Sequence, residues 1–344
     1  MTQDLLEVFQ SMDFSNKDEG IALNDRVLII DGMNTFIRSF AAIPTMDENG
    51  NHIGGVTGFL KSVGYVTRKF KPSRVYVIFD GKGGSKRRRD IYPDYKLGRK
   101  PLTRLNRTYD MTTEQDEQDL MRYELVIVAK ALMKLPITTI TLDHVEADDI
   151  ISYIAQHVVE NGGESIIYST DKDFLQLVGD DIKVWNPVRK KTYIPEIVVE
   201  DYEIHPNNFL LYRALTGDTS DNLPGIKGLG MKTLLKIVPE FVTEQHLTFD
   251  DVIDAAENSK LKVASRIIDE QESIKLNIKL MSLRSVMISD NNKMKILNKI
   301  NRPQLSLHKY DLTKLLMETN ILPAMQNYDS WVVSTFNSLT RFDG

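Results

Sequence analysis

Five short runs of β-branched and aromatic residues mark the N-terminal part of the chain: Val27–Asp31, Val75–Asp80, Ile137–Thr141, Ser165–Ser169 and Ile182–Trp185. Each is nearly continuous rather than alternating, the pattern of strands covered on both faces of a parallel sheet. Helical patterns lie between several of them. Thr113–Leu135 places Leu120, Tyr123, Ile127 and Ala131 at helical spacing, and Asp148–Glu160 runs into a helix stop at Asn161-Gly162-Gly163. Strands alternating with helices predict an α/β domain over about residues 21–200. From Pro206 onward the pattern is mostly helical. Asn207–Thr216 and Met231–Val238 read as helices joined by Gly217–Gly230, which contains four Gly and one Pro.

Acidic residues follow these strands. Asp31 ends the first and Asp80 the second; Glu146, Asp148 and Asp149 follow the third, and Asp171 and Asp173 the fourth. Asp218 and Asp221 lie in the later Gly-rich turn. Ligands of open α/β sheets bind outside the carboxyl ends of the strands, so these side chains are expected to meet at one edge. Carboxylates crowded together must take up protons or cations. Oxygen donors with no Cys in the chain, and no His in the cluster, suit Mg²⁺ or Mn²⁺, and this many suggest two ions. Singly, each Asp is better explained as a helix cap or turn former, Asp149 and Asp221 most of all; placement at the ends of successive strands is what points to a metal site.

Composition adds two points. The absence of Cys excludes disulfides, thiolate metal sites and Cys nucleophiles. The acidic N-terminus has no basic region of the kind that opens a signal peptide, and no apolar run reaches the length of a membrane span, so a cytoplasmic protein is expected. The net charge of −5 points away from nucleic acid, but its distribution reverses that reading. Residues 82–107 hold ten Lys or Arg against two Asp, a local charge of +8 directly after the Asp80 strand. Such a segment can neutralise phosphates, and Tyr92 and Tyr95 offer stacking faces; a solvated charged loop is the alternative. Gly225–Lys232 (GIKGLGMK) opens a helix with a Gly-rich turn able to approach phosphate closely.

Leu28–Arg38 (LIIDGMNTFIR), Val77–Gly81 (VIFDG), Tyr95–Arg99 (YKLGR), Val145–Asp149 (VEADD), Ser169–Leu177 (STDKDFLQL) and Gly217–Lys232 together resemble the 5′-nucleases of the flap endonuclease superfamily. The likeness is closest to the free-standing bacteriophage RNase H and 5′-exonuclease type, and to the 5′–3′ exonuclease domain of bacterial DNA polymerase I. It covers about residues 24–290, and its specificity lies in the order and spacing of the whole set.

The resemblance implies a PIN-like nuclease core, mostly a parallel sheet covered by helices, over residues 24–203, with a basic helical arch at about 84–125. It implies a duplex-binding helical region over 204–290 containing a helix–two-turns–helix element at 206–238. Residues 1–23 and 291–344 are then extensions. Asp31, Asp80, Glu146 and Asp148 match the first metal site, and Asp171, Asp173 and Asp218 the second. Asp149 and Asp221 match outer or water-mediated ligands. Lys96 and Arg99 match the pair that contacts the scissile phosphate, Arg38 a phosphate contact, and Tyr95 an aromatic that stacks on substrate. Lys86 and Arg87 belong to the arch; Gly228, Gly230 and Lys232 belong to the turn that grips duplex phosphates, where many members bind K⁺. The implied function is Mg²⁺-dependent hydrolysis near the 5′ end of duplex, flap or RNA–DNA substrates, with RNA-primer removal in replication. The implied partners are nucleic acid, a sliding clamp or a single-stranded-DNA-binding protein, and the implied state is a monomer in a bacterial or phage-infected cell. Phe336–Phe342 (FNSLTRF) reads either as a clamp-docking peptide or as the end of a core helix holding Trp331 and Phe336. A non-catalytic DNA-structure-binding protein and a small PIN-type ribonuclease are the alternatives; the full set of acids argues against the first, and the basic segment with the Gly-rich turn against the second.

Overall fold

A computed structural model of the protein describes residues 24–98, 114–303 and 305–340. Six strands form one sheet: β1 (Arg26–Asp31), β2 (Arg74–Ile78), β3 (Thr138–Ile140), β4 (Glu164–Tyr168), β5 (Ile182–Asn186) and β6 (Lys191–Tyr193). Their spatial order is β3-β2-β1-β4-β5-β6, parallel throughout except for the antiparallel β5–β6 hairpin. The chain leaves β1 for β2 on one side and returns to β4 on the other, so the crevice between β1 and β4 is a topological switch point.

Strand alternation sorts the side chains into two cores. Val27 and Ile29 of β1, with Tyr76 and Ile78 of β2, face one layer. Leu28 and Ile30, with Val75 and Val77, face the other. The first layer is covered by α5 (Ala147–Glu160) through Ile150, Ile151 and Ile154. It continues into the helical region formed by α6 (Pro195–Tyr202), α7 (Pro206–Thr216), α8 (Met231–Ile237), α9 (Phe249–Glu257), α10 (Lys262–Asp269) and α11 (Gln271–Met281). The second layer holds α1 (Gly32–Ala42), α2 (Gly54–Phe70) and α4 (Glu114–Leu132). A short α3 (Lys86–Ile91) lies in the basic segment. Asp31 shares the parity of Val27 and Ile29, so it belongs to the layer in which α5 begins.

After α12 (Asp290–Ile300), helices α13 (Lys309–Glu318) and α14 (Tyr328–Thr340) return to the sheet. Leu312, Leu316, Val332, Phe336 and Leu339 are fully buried in the second layer. Gly64 on α2 leaves room for the Trp331 indole, since a Cβ there would stand 2.2 Å from its Nε1. Arg68 donates to Thr335 Oγ1 across the same contact. The docking-peptide reading of FNSLTRF is therefore corrected: Phe336 and Leu339 serve the core, while Phe342 lies outside the described residues. Phe336→Ala is expected to lower stability by about 3–5 kcal/mol in urea unfolding. A loss below about 1 kcal/mol would show that the helix is not part of the core. Among the described residues, no helix is long and apolar enough to cross a membrane.

Candidate active site at the strand ends

The acids line the sheet edge at the switch point, and local backbone geometry sets each one. Asp31 ends β1 and caps α1, accepting from Asn34 N at 3.0 Å and from Ser169 Oγ at 2.9 Å. Asp80, just past β2, accepts from Ala147 N at 2.8 Å, which ties the second strand to the start of α5. Asp148 lies in the first turn of α5. Asp171, after β4, opens a 3₁₀ turn by accepting from Asp173 N at 2.8 Å. Capping therefore falls to Asp31, Asp171 and Asp218, which accepts from Ser220 N. The cap expectation for Asp149 and Asp221 is corrected. Asp149 faces Arg88 instead, and Asp221 accepts from Tyr95 Oη at 3.0 Å.

Charge pairing divides the nine acids into two sets. Five are held by buried or half-buried cations. Arg88 spans both oxygens of Asp149 at 2.6 and 2.9 Å and reaches Glu146 at 2.9 Å. Lys96 bonds Glu146 at 2.9 Å and lies 4.0 Å from Asp221. Arg213 on α7 bonds Asp173 at 2.6 Å and Asp218. Among the described residues, the other four (Asp31, Asp80, Asp148 and Asp171) form no ion pair.

Protonation follows this division for several of the acids but not for Asp221, which burial raises although Lys96 opposes it. Burial raises the Asp31 carboxyl to about 6, opposed by its hydrogen bonds and reinforced by Asp80. Burial and then the neighbouring Asp173 raise Asp171 to about 7. Asp148 is partly open to the cleft yet surrounded by protein mass; burial first, then the charges of Asp171 and Asp31, hold it well above the ordinary carboxylate range. Burial also works to raise Glu146, but Arg88 and Lys96 outweigh it and the group is held low. The unpaired four thus form an electron-rich cluster short of positive charge, built of oxygen donors alone. That donor set fits hard divalent cations. Among the described residues no three of these carboxylates close into a ready-made cage, as expected for like charges separated by repulsion; Mg²⁺ tolerates such an open array because it keeps several waters.

The basic residues are placed unevenly. Lys96 sits in the left-handed region at φ 56°, its amide donating to Asp221 O at 2.9 Å, and its ammonium meets the acids. Tyr95 is 3% exposed, and its hydroxyl donates to Glu146 and Asp221. The stacking expectation for Tyr95 is corrected: its ring is inside, with Lys96 Nζ 4.9 Å from the ring centre. Burial, then the Glu146 charge, keeps its phenol protonated far above neutral pH. Lys86 is exposed, whereas Arg87 donates to Met287 O at 2.8 Å. Arg38 donates to Tyr168 Oη at 2.8 Å in a cleft of about 650 Å³ that also holds Lys61, Tyr65 and Lys190. A second hollow of about 490 Å³, with Asn34, Arg38, Thr170 and Arg189, lies between that cleft and the Asp31 turn. Gly228, at φ 84°, and Gly230 and Lys232 form an exposed turn at the start of α8. Arg99 and much of the expected arch lie outside the described residues.

Sequence reasoning missed Arg88 and Arg213. Arg88 was hidden in the run Lys86–Arg89, where its neighbours are solvent-facing or tied elsewhere. A usable signal existed for Arg213, a lone cation in the otherwise apolar run Phe209–Leu215.

Comparison with known proteins bears on this arrangement. Residues 26–203 match the family described as 5′-3′ exonuclease, N-terminal resolvase-like domain, and residues 204–301 match 5′-3′ exonuclease, C-terminal SAM fold. A 5′-3′ exonuclease of Aquifex aeolicus is 29% identical over 292 residues, covering 85% of this chain and 92% of that protein. The flap endonuclease Xni of Shewanella denitrificans is 31% identical over 264 residues, covering 75% of this chain and 92% of that protein. The thermostable DNA polymerase I of Thermus aquaticus is 31% identical over 263 residues; this chain spans only 29% of its length. Among solved structures, a bacteriophage T5 flap endonuclease in a pseudo-enzyme-product complex with DNA and metal ions shares the fold, with a TM-score of 0.61 at 20% identity, covering 85% of this chain and 98% of that one.

Proposed function

The chain belongs to the 5′–3′ exonuclease family, and on that premise we propose that it is a divalent-cation-dependent, structure-specific 5′-nuclease that hydrolyses phosphodiesters near the 5′ ends of duplex, flap and RNA–DNA substrates. The observation that carries this reading is the set of four carboxylates at the switch point that form no ion pair among the described residues, beside a segment rich in cations. Mg²⁺ or Mn²⁺ held there would supply water activation and neutralise charge at the scissile phosphate. Asp31, Asp80 and Asp148, with Glu146, would hold one ion, and Asp171, Asp173 and Asp218 the second, with Asp149 and Asp221 as outer or water-mediated ligands.

Lys96 reaches the cluster from the basic segment and presents positive charge where phosphate charge develops, with Arg99 as its proposed companion. Tyr95 contributes by fixing Glu146 and Asp221 rather than by stacking. Arg38, with Arg189 and Lys190 along the adjoining hollows, orients the nucleic-acid backbone by contact with phosphates. The turn at Gly228–Lys232 grips the duplex further away, with K⁺ at the same element. The products are a 5′-phosphate and a 3′-hydroxyl, and removal of RNA primers during replication is the proposed role.

The test is a duplex carrying a 5′-labelled single-stranded flap, prepared with either an RNA or a DNA 5′ segment. In Mg²⁺, release of labelled product near the junction is expected from both, with none in EDTA and none from the matching 3′ flap. Equal cleavage of the 3′ flap, or activity in EDTA, would contradict the reading. Cleavage of the DNA flap alone would remove the primer-removal role while leaving the nuclease.

A further inference from the structure

Arg213 occupies an unusual place for a cation. It is 3% exposed and points from α7 into the acid cluster. Its Nε donates to Asp173 Oδ1 at 2.6 Å, one terminal nitrogen bonds Asp218 Oδ2, and the other donates to Gly217 O at 3.2 Å. Asp218 Oδ1 is taken by Ser220 N and Oγ, both at 2.7 Å, so neither oxygen of Asp218 is free. Asp173 comes from the turn after β4 and Asp218 from the turn after α7, and the guanidinium joins the two. By contrast Asp31, Asp80, Asp148 and Asp171 carry no such partner among the described residues.

A guanidinium bridging two carboxylates does there what a divalent cation would do: it holds their oxygens together and cancels their repulsion. A divalent cation brought to Asp218 Oδ2 or Asp173 Oδ1 meets the guanidinium at close range, where like charges repel. We propose that Arg213 is a positioning residue that stands in for the second divalent cation, so that the protein free of substrate takes up one ion tightly and a second only by displacing this guanidinium. The inference rests on the nuclease reading above and goes beyond it by making the second ion conditional. Once displaced, the guanidinium needs another anionic partner. The phosphate of a bound nucleic acid is one, since Arg pairs bidentately with phosphate as well as with carboxylate. Uptake of the second ion is thereby coupled to substrate.

The experiment is a Mn²⁺ binding isotherm on the full chain without nucleic acid, by calorimetry and by the electron paramagnetic resonance signal of free Mn²⁺. Wild-type protein is expected to bind one ion tightly and a second at least about tenfold more weakly. Arg213→Gln exposes Asp173 and Asp218 and is expected to tighten the second ion by about tenfold or more, leaving the first unchanged. Arg213→Lys keeps the charge but loses the planar fork that bridges both acids, so an intermediate tightening is expected. If Arg213→Gln does not fold, the lysine variant decides alone: a second-ion affinity at or below that of wild type overturns the proposal. A second ion unchanged or weakened in Arg213→Gln also overturns it, and would mean that the guanidinium only props the acids in place. Two equally tight ions in wild type overturn it too. If wild-type protein binds no divalent ion, the nuclease reading itself fails, an outcome distinct from the others.

Discussion

Asp148→Asn is expected to abolish cleavage and, in the absence of metal, to make the protein more stable at pH 8. The two effects share one cause. Asp148 sits among Asp171, Asp31 and Glu146, and burial plus those charges make its ionised form costly. Ionised, it is a centre of attraction for a divalent cation, and such ions supply several kcal/mol of transition-state stabilisation. At ~1.4 kcal/mol per tenfold, their loss costs about 10³-fold or more in rate. The asparagine keeps the shape and removes the repelled charge, so the metal-free fold gains what the active site loses.

The pH dependence follows with a definite sign. The Asp31 and Asp171 carboxyls rise from 3.8 to about 6 and about 7, chiefly through burial, so the folded protein holds these protons more tightly than the unfolded chain. Stability of the metal-free protein therefore falls as pH climbs from about 4 through about 7, and divalent cations restore it at the upper end. Thermal unfolding with and without Mg²⁺ measures this: the metal-induced gain should be larger at pH 8 than at pH 5, and smaller in Asp148→Asn than in wild type. Near wild-type cleavage by the variant, or a metal-free variant less stable than wild type at pH 8, would contradict the account.

Arg88→Met is expected to cost about 3–5 kcal/mol of stability. Arg88 is 4% exposed, and its fork holds both oxygens of Asp149 while touching Glu146. Its Nε also donates to Leu280 O, joining the basic segment to the helical region. Methionine fills much of the same volume but leaves two buried carboxylates with less compensation. Restoring the balance with Asp149→Leu in the same chain should recover part of the loss, because the penalty lies in the stranded charge. Urea unfolding of the single and double variants tests this. A single variant within about 1 kcal/mol of wild type would show that the pair is not a structural tie.

The legible parts of the fold were those written in local pattern. β1 was visible because Val27–Ile30 is continuously apolar between polar neighbours, and the acids at strand ends stood out because strand ends of a parallel sheet share one edge. Less visible was α2, whose Gly54, Gly55, Gly58 and Gly64 lower helix propensity; at Gly64 the missing side chain makes room for Trp331, a residue far along the chain. The three-residue β6 is too short to carry a pattern, and it pairs because β5 offers it an edge. The division of the acids was illegible for a related reason. Whether an acid is paired depends on an arginine whose distance in sequence says nothing: Arg88 and Asp149 stand 61 positions apart, and Arg213 and Asp173 40 apart. Tyr95 was misread because an aromatic within a basic run suggests stacking, whereas its hydroxyl had acids to satisfy and drew the ring inside.

The division also bears on the net charge of −5. Five acids of the site are answered by cations within the fold, leaving Asp31, Asp80, Asp148 and Asp171 as the acids there without a cation partner among the described residues, the ones divalent ions would neutralise. Diffraction from crystals soaked in Mn²⁺, measured where manganese scatters anomalously, locates those ions directly. The account predicts a strong anomalous peak bounded by Asp31, Asp80, Asp148 and Asp171; absence of a peak there, or peaks confined to Asp149 and Asp221, would contradict it.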